Sequence, residues 1–232
     1  VTGVQTCALP IYSTASPTLR YRKQGGYFYD SYNTAFQITN ADSIQVHHKS
    51  KLVPGVEMMP FPKLMMPLQE LAFDLGGMVG SLGTQSRPSV FHNIKSESFH
   101  AAPIICYESI YGEYVAQYVK QGATFLAIIT NDGWWDNSPG YRQHFQYGRL
   151  RAIEMRRSVA RSANTGISAF INQRGDVLQQ TDWWVPAAIK QTINTNDTIT
   201  FYAMHGDYIA HIFKWLSLFL IVMFPFIKYI KR

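Results

Sequence analysis

Cysteine is almost missing from this chain. Among 232 residues only Cys7 and Cys106 carry a thiol, which excludes a disulfide-stapled fold. No CxxC or HExxH occurs, and the seven histidines show no zinc spacing, so no metal is expected. Glutamate is absent before Glu57, and Asp30 and Asp42 are the only acids in that span. A charged fraction of 16% beside 47% hydrophobic residues excludes wholesale disorder. Acids are outnumbered by bases, leaving a net charge of +6. Such an excess serves nucleic acid, an anionic membrane surface or a solvated face equally well. Long apolar runs are lacking until the tail.

What is present centres on Pro103-Ile104-Ile105-Cys106-Tyr107-Glu108. A β-branched run ends at a lone thiol, with an aromatic ring and an acid directly after it, so the thiol is delivered to the end of a buried strand. An isolated cysteine is ordinarily a packing residue. Its company elsewhere in the chain makes Cys106 a candidate nucleophile.

Residues 1–11 (VTGVQTCALPI) have neither periodicity nor signal-peptide character and resemble a translated sequencing adaptor, so they read as a non-native segment. Residues 12–32, polar and aromatic, read as loop and turn. Residues 33–39 and 43–48 read as a hairpin across 40–42. Next stands HKSKLVPGVE, in which the Pro54-Gly55 turn brings Lys49 and Glu57 toward one another at the mouth of a site. A lysine ammonium placed there can bind a developing oxyanion. Residues 64–75 have helical spacing, and a glycine-rich loop through Gly83 leads to the nucleophile strand, 98–107.

The spacing predicts an amphipathic helix over 111–121, closed by Gly122, and a strand buried on both faces over 125–129. That strand ends in Thr130-Asn131-Asp132-Gly133-Trp134-Trp135. Helix alternating with buried strand argues for a layered α/β sandwich, which places Cys106 and Asn131 on one rim. A long helix is predicted over 143–163, with Leu150, Ile153 and Val159 as its apolar face and Glu154 pairing with Arg151 and Arg157. Its arginines have internal partners and no aromatic surface beside them, so no nucleic-acid partner is expected. A hairpin over 168–172 and 177–180, a rim loop at 183–186 and an edge strand toward Tyr202 complete the globular part.

The tail differs. Residues 215–227 (WLSLFLIVMFPFI) are uncharged, and the window extended back to Ile209 admits only His211 and Lys214. Residues 209–229 therefore read as a C-terminal transmembrane helix. The basic end, 230–232, would lie in the cytoplasm by the positive-inside rule, and the globular part on the other side.

With Lys49, Cys106 and Asn131-Asp132 in this order at strand ends, the chain resembles the nitrilase, or carbon–nitrogen hydrolase, superfamily, and within it the apolipoprotein N-acyltransferase family. Tyr32-Asn33-Thr34-Ala35, Lys49 to Glu57, Ile105 to Glu108, Thr130 to Trp135, Arg151-Ala152-Ile153-Glu154 and Asn164-Thr165-Gly166 carry the likeness. The resemblance implies a nitrilase-like α-β-β-α sandwich over residues 12–208, incomplete at the amino end. It implies Cys106 as the nucleophile that takes an acyl chain from a phospholipid donor, and Lys49 as the oxyanion donor. Glu57, Tyr107, Glu108, Asn131, Asp132 and Trp134 would shape the site. The acceptor would be the diacylglyceryl-cysteine of an apolipoprotein, the place a bacterial inner membrane with the catalytic domain periplasmic, and no cofactor would be needed.

Departures accompany the likeness. Lys51 stands where the family often has His, Pro-Gly-Val-Glu replaces Pro-Phe-Gly-Glu, and no glutamate precedes Lys49. The chain therefore reads as a carboxy-terminal fragment without its general base, inactive by itself. Alternatives are a nitrilase-type amidase acting on a small amide with the same Cys106 and Lys49, and a catalytically inactive, membrane-tethered binding module.

Overall fold

Side chains along the central strands point alternately to two apolar layers, and this alternation organises the molecule. The computed structural model describes residues 11–15, 23–24, 27–38, 44–58, 82–93 and 98–230, with side chains from 31 to 224 within those spans. The first sheet contains β1 (Ile11–Ala15), β2 (Lys23–Gln24), β3 (Tyr27–Gln37) and β4 (Gln45–His48). Here β3 pairs antiparallel with each of the others. The second contains β5 (Phe91–His92), β6 (His100–Ile105), β7 (Phe125–Asn131), β8 (Val159–Asn164), β9 (Ala169–Ile171) and β10 (Val177–Gln180). Its order is β10-β9-β8-β7-β6-β5, with β6, β7 and β8 parallel.

Ala101 and Ile105 of β6 and Phe125, Ala127 and Ile129 of β7 pack with Ala35 of β3, forming the seam between the sheets. The alternate residues Ala102, Ile104, Leu126 and Ile128 face α1 (Gly112–Lys120) and α2 (Gly140–Met155) on the other side. Period-two alternation with apolar residues at every position is what a strand covered on both faces requires. Ile104, Leu126 and Ile128 are completely buried, so truncating any of them to Ala removes about 2–5 kcal/mol. The layers run helix, sheet, sheet, in agreement with the nitrilase-like α/β expectation. The helix expected over 64–75 lies outside the described residues, as do the hairpin turn 40–42 and residues 1–10.

Several local expectations are corrected. Residues expected as loop form β1, β2 and the first part of β3, because backbone pairing with β3 suits a polar, aromatic stretch as well as an apolar one. The helix expected to run to 163 stops at Met155. Arg156 adopts the left-handed conformation (φ +50°) as its cap, a place where Gly is usual, and the chain then enters β8. Leu150 and Ile153 are exposed, whereas Tyr141, His144, Phe145, Gly148, Arg151, Ala152 and Met155 form the buried face. Arg151 pairs with Glu154 at 3.0 Å. Arg157 instead donates to the carbonyls of Ala123, Met155 and Thr198 at 2.8, 3.1 and 2.9 Å. The antiparallel β9–β10 hairpin forms with Gly175 at φ +85°. No edge strand follows it: the chain from 181 to 200 is irregular up to the short α3 (Phe201–His205).

The tail forms α4 (Tyr208–Ile230). Among its described residues, to Phe224, apolar side chains are exposed on every face, Ile212, Phe213, Trp215, Phe219 and Ile221 among them. Among the described residues no helix is long and apolar enough to cross a membrane; the expected helix 209–229 coincides with α4 but runs on past the residues whose side chains are described.

Candidate active site

Lys49 follows β4 directly, and its N–H continues the ladder by donating to the Asn33 carbonyl at 2.8 Å. Its side chain points inward and is 1% exposed. A buried ammonium is tolerated only with a partner, and Nζ donates to Glu57 Oε1 at 2.8 Å and Oε2 at 2.7 Å. The Val53 N–H at 2.8 Å and the Asn33 amide hold the same carboxylate. Gly55, at φ +83°, allows the turn that returns Glu57 to Lys49. Pro-Gly-Val thus preserves the pairing.

Cys106 sits on the other sheet, at the first position of a 3-10 turn (Cys106–Ile110) that ends β6. It is half-buried and its backbone is left-handed, φ +49°. A residue with a Cβ adopts that conformation only where its surroundings enforce it. The sharp strand-to-helix turn presents the side chain at the sheet's carboxyl edge, as a nucleophile elbow does.

Glu108 joins the two halves. It is completely buried and accepts the N–H of Ser50 at 2.6 Å on Oε1 and that of Ile105 at 2.8 Å on Oε2. One carboxylate therefore grips the residue after Lys49 and the residue before Cys106. Behind it, Nδ1 of His47 accepts from Gln85 Nε2 at 2.9 Å and from the Ser89 N–H at 3.4 Å. The hydrogen then resides on Nε2, which faces Tyr118 Oη at 2.8 Å and Glu108 Oε2 at 3.4 Å. Tyr118 Oη donates onward to the Pro103 carbonyl at 3.0 Å. Burial, followed by the Glu108 charge, pushes this phenol well above its usual range, so it remains a donor.

A second buried network lies beneath the nucleophile turn. Asp132, at the end of β7, accepts from Arg161 Nη2 of β8 at 2.6 Å and from Thr130 Oγ1 at 3.0 Å. His144 Nδ1 of α2 lies 2.8 Å from Asp132 Oδ1. Burial opposes ionisation of Asp132, yet the His144 hydrogen bond and the Arg161 charge outweigh it and hold the carboxyl below its ordinary value. His144 Nε2 faces Ser109 Oγ at 3.0 Å and the Cys106 carbonyl at 3.2 Å.

Of the residues singled out in the sequence, Lys49, Glu57, Glu108 and Cys106 form one connected assembly, and Asp132 reaches it through His144. Asn131 lies on the same rim, but its side chain accepts the Gly133 N–H at 3.2 Å and shapes its own turn. Tyr107 packs edge-on against Tyr111 at 5.6 Å. Trp134 is 75% exposed and projects from the rim. Beyond the end of β8 a cleft of about 310 Å³, with no charged side chain in its lining, opens between Asn164-Thr165-Gly166 and Trp184-Val185-Pro186. Sequence reasoning missed His47, Ser109, His144 and Arg161. None sits in a local motif, and only the fold brings them to the strand ends. Among the described residues no group of three or more His, Cys, Asp or Glu side chains could hold a metal ion.

Comparison with known proteins places these geometries in a family. The carbon–nitrogen hydrolase family profile matches residues 11–202. The apolipoprotein N-acyltransferase of Chlorobaculum tepidum is 35% identical over 186 residues, 79% of this chain and 35% of that protein. That of Haemophilus influenzae is 34% identical over 182 residues, 78% of this chain and 34% of that protein. The chain thus spans about a third of the length of the curated relatives it matches. Among solved structures, a glutamine-dependent NAD+ synthetase from Acinetobacter baumannii shares the fold at a TM-score of 0.51 and 12% identity, over 72% of this chain and 28% of that one. With its sandwich, its buried lysine and its cysteine elbow aligned to that profile across most of its length, the chain belongs to the carbon–nitrogen hydrolase family.

Proposed function

We propose that this chain supplies the cysteine-nucleophile domain of an apolipoprotein N-acyltransferase. The Cys106 thiolate attacks the ester carbonyl of a phospholipid. The C–S bond forms, the carbonyl electron pair moves onto oxygen, and the lysophospholipid alkoxide leaves and takes a proton. The α-amino group of a diacylglyceryl-cysteine then attacks the thioester, and the thiolate departs as the amide forms. Lys49 offers its ammonium to the oxyanion in both steps. A single such donor contributes about 10²- to 10³-fold in rate.

The observation that carries this reading is the Glu108 clamp, which ties the residue after a buried lysine to the residue before a cysteine across two sheets. The relatives' names supply the substrate class. Neither Glu57 nor Glu108 is the thiol's base, because every oxygen of both already faces two donors. The proton goes to a further group that these contacts do not include, so Cys106 and Lys49 are insufficient alone. An aqueous face for the domain and lipid for the apolar α4 fit work at a bacterial inner membrane, with the domain on the periplasmic side.

The test is to express the complete reading frame in membranes and follow transfer of labelled acyl chain from phospholipid to protein. Label held as a hydroxylamine-sensitive thioester on wild type, and absent from Cys106→Ala, is expected. A folded wild type that takes up no label sinks the acyltransferase, and turnover of small amides would then favour the amidase.

A further inference from the structure

We propose that His144 is a positioning residue for the nucleophile, setting the plane of the Cys106–Tyr107 peptide and thereby aiming the Tyr107 N–H at the reacting carbonyl oxygen. The proposal rests on Cys106 being the group that is acylated, and it goes beyond that reading by adding a residue from α2 that never touches substrate.

The ring is fixed from behind. Asp132 Oδ1, 2.8 Å from Nδ1, only accepts, so Nδ1 carries a hydrogen. Asp132 is itself held by Arg161 and Thr130, and its far oxygen lies so close to Gly166 that a Cβ there would meet it at 2.4 Å. His144 is 3% exposed and has little room to swing.

The ring's other edge reaches the nucleophile's backbone. Nε2 lies 3.2 Å from the Cys106 carbonyl and 3.0 Å from Ser109 Oγ, and Ser109 Oγ lies 2.8 Å from the same carbonyl. Ser109 Oγ has one hydrogen and gives it to the Cys106 carbonyl. A hydrogen on Nε2 points at the same oxygen, and in that arrangement ring and hydroxyl brace it together; a hydroxyl turned to Nε2 instead would leave the carbonyl to neither.

The consequence follows from peptide geometry. Among the described residues no peptide bond is cis, and in a planar trans peptide the C=O and the next N–H point in opposite directions. Pinning the Cys106 carbonyl toward His144 therefore turns the Tyr107 N–H the other way. A backbone N–H directly after the nucleophile is a favoured oxyanion donor. The left-handed φ of Cys106 is what lets the carbonyl turn inward while the side chain stays at the strand end.

The test uses the 232-residue chain and an activated ester, p-nitrophenyl butyrate, whose leaving group needs no proton. The Cys106 thiolate adds to the ester carbonyl, the oxyanion collapses and nitrophenolate is released once per thiol. Iodoacetamide serves as the control, since displacement at its saturated carbon builds no oxyanion. In His144→Ala the burst slows about 10²-fold, as on loss of one oxyanion donor, with half-saturation unchanged and iodoacetamide alkylation at the wild-type rate. His144→Gln, whose amide reaches the Cys106 carbonyl, restores most of the burst. Ser109→Ala, the smaller lesion, slows the burst in the same selective way. Ester and iodoacetamide rates that fall together in Ser109→Ala and His144→Gln, or a wild type no faster with the ester than these variants and His144→Ala, overturn the proposal. Selective slowing of the ester, alongside absence of phospholipid label from the wild type, leaves His144 in place and sinks only the lipid acyltransferase.

Discussion

The carboxylate of Glu108 accepts the backbone N–H of Ser50 at 2.6 Å, across the seam between two sheets. With its other oxygen on Ile105, Glu108 behaves as a rivet whose head is a charge. Replacing it by Gln puts an NH2 against one of two backbone donors. Glu108→Gln is therefore expected to cost about 3 kcal/mol, in the range for hydrogen bonds to a charged group. Urea unfolding of the variant beside wild type measures it, and a loss near zero would show that the clamp contributes nothing.

Lys49 and Glu57 should be coupled. Breaking a buried pair from one side leaves a charge unpaired, so Glu57→Gln should destabilise by about 3 kcal/mol. Adding Lys49→Met removes the stranded ammonium and should recover part of that loss. A double-mutant cycle read from denaturation midpoints gives the coupling, and strictly additive losses would contradict the pairing.

Asp132 makes stability fall in acid. Its folded carboxyl is held below the ordinary value of 3.8, so the ionised form stabilises the fold. That contribution is fully present above 3.8 and is lost as pH falls through the lower folded value. Thermal unfolding followed down the acid limb should show a steep decline in wild type. Asp132→Asn, lower at neutral pH, should have a flatter limb.

Gly166→Ala should be poorly tolerated. The added Cβ would meet Asp132 Oδ2, Cβ and Cγ at 2.4, 2.7 and 2.8 Å, and the Arg161–Asp132–His144 network cannot yield without losing hydrogen bonds. Overpacking of this kind costs about 1–3 kcal/mol. A melting temperature equal to wild type would mean that the network repacks freely.

Helix α4 should bind lipid. Flotation with phosphatidylethanolamine and phosphatidylglycerol vesicles is expected to carry the chain upward. Replacing the exposed Phe213, Phe219 and Ile221 by Gln should leave it at the bottom of the gradient. Equal flotation of both proteins would remove α4 as the contact.

The central layers were legible because β6 and β7 are apolar at nearly every position, a signature of strands covered on both sides. The Lys49–Glu57 approach was legible too, since Pro54-Gly55 dictates a turn. Strand β8 was not. Its sequence, Val-Ala-Arg-Ser-Ala-Asn, carries a buried arginine that reads as an exposed helical charge until Asp132 is brought opposite it. The end of α2 was hidden for a related reason: Arg156 takes the left-handed cap without glycine to announce it. In the tail, the continuous apolar run was legible as a helix, and α4 spans Tyr208–Ile230.

Cys106 leaves one sheet and Lys49 the other, and the contact that joins their neighbours closes a separation of 58 positions. A contact between such distant partners meets the entropy of closing its loop before it returns anything. A chain with each sheet formed but the sandwich still open has the thiol at one sheet edge and the ammonium on a sheet not yet joined to it. Chemistry that needs both groups therefore requires the two sheets to be closed on one another.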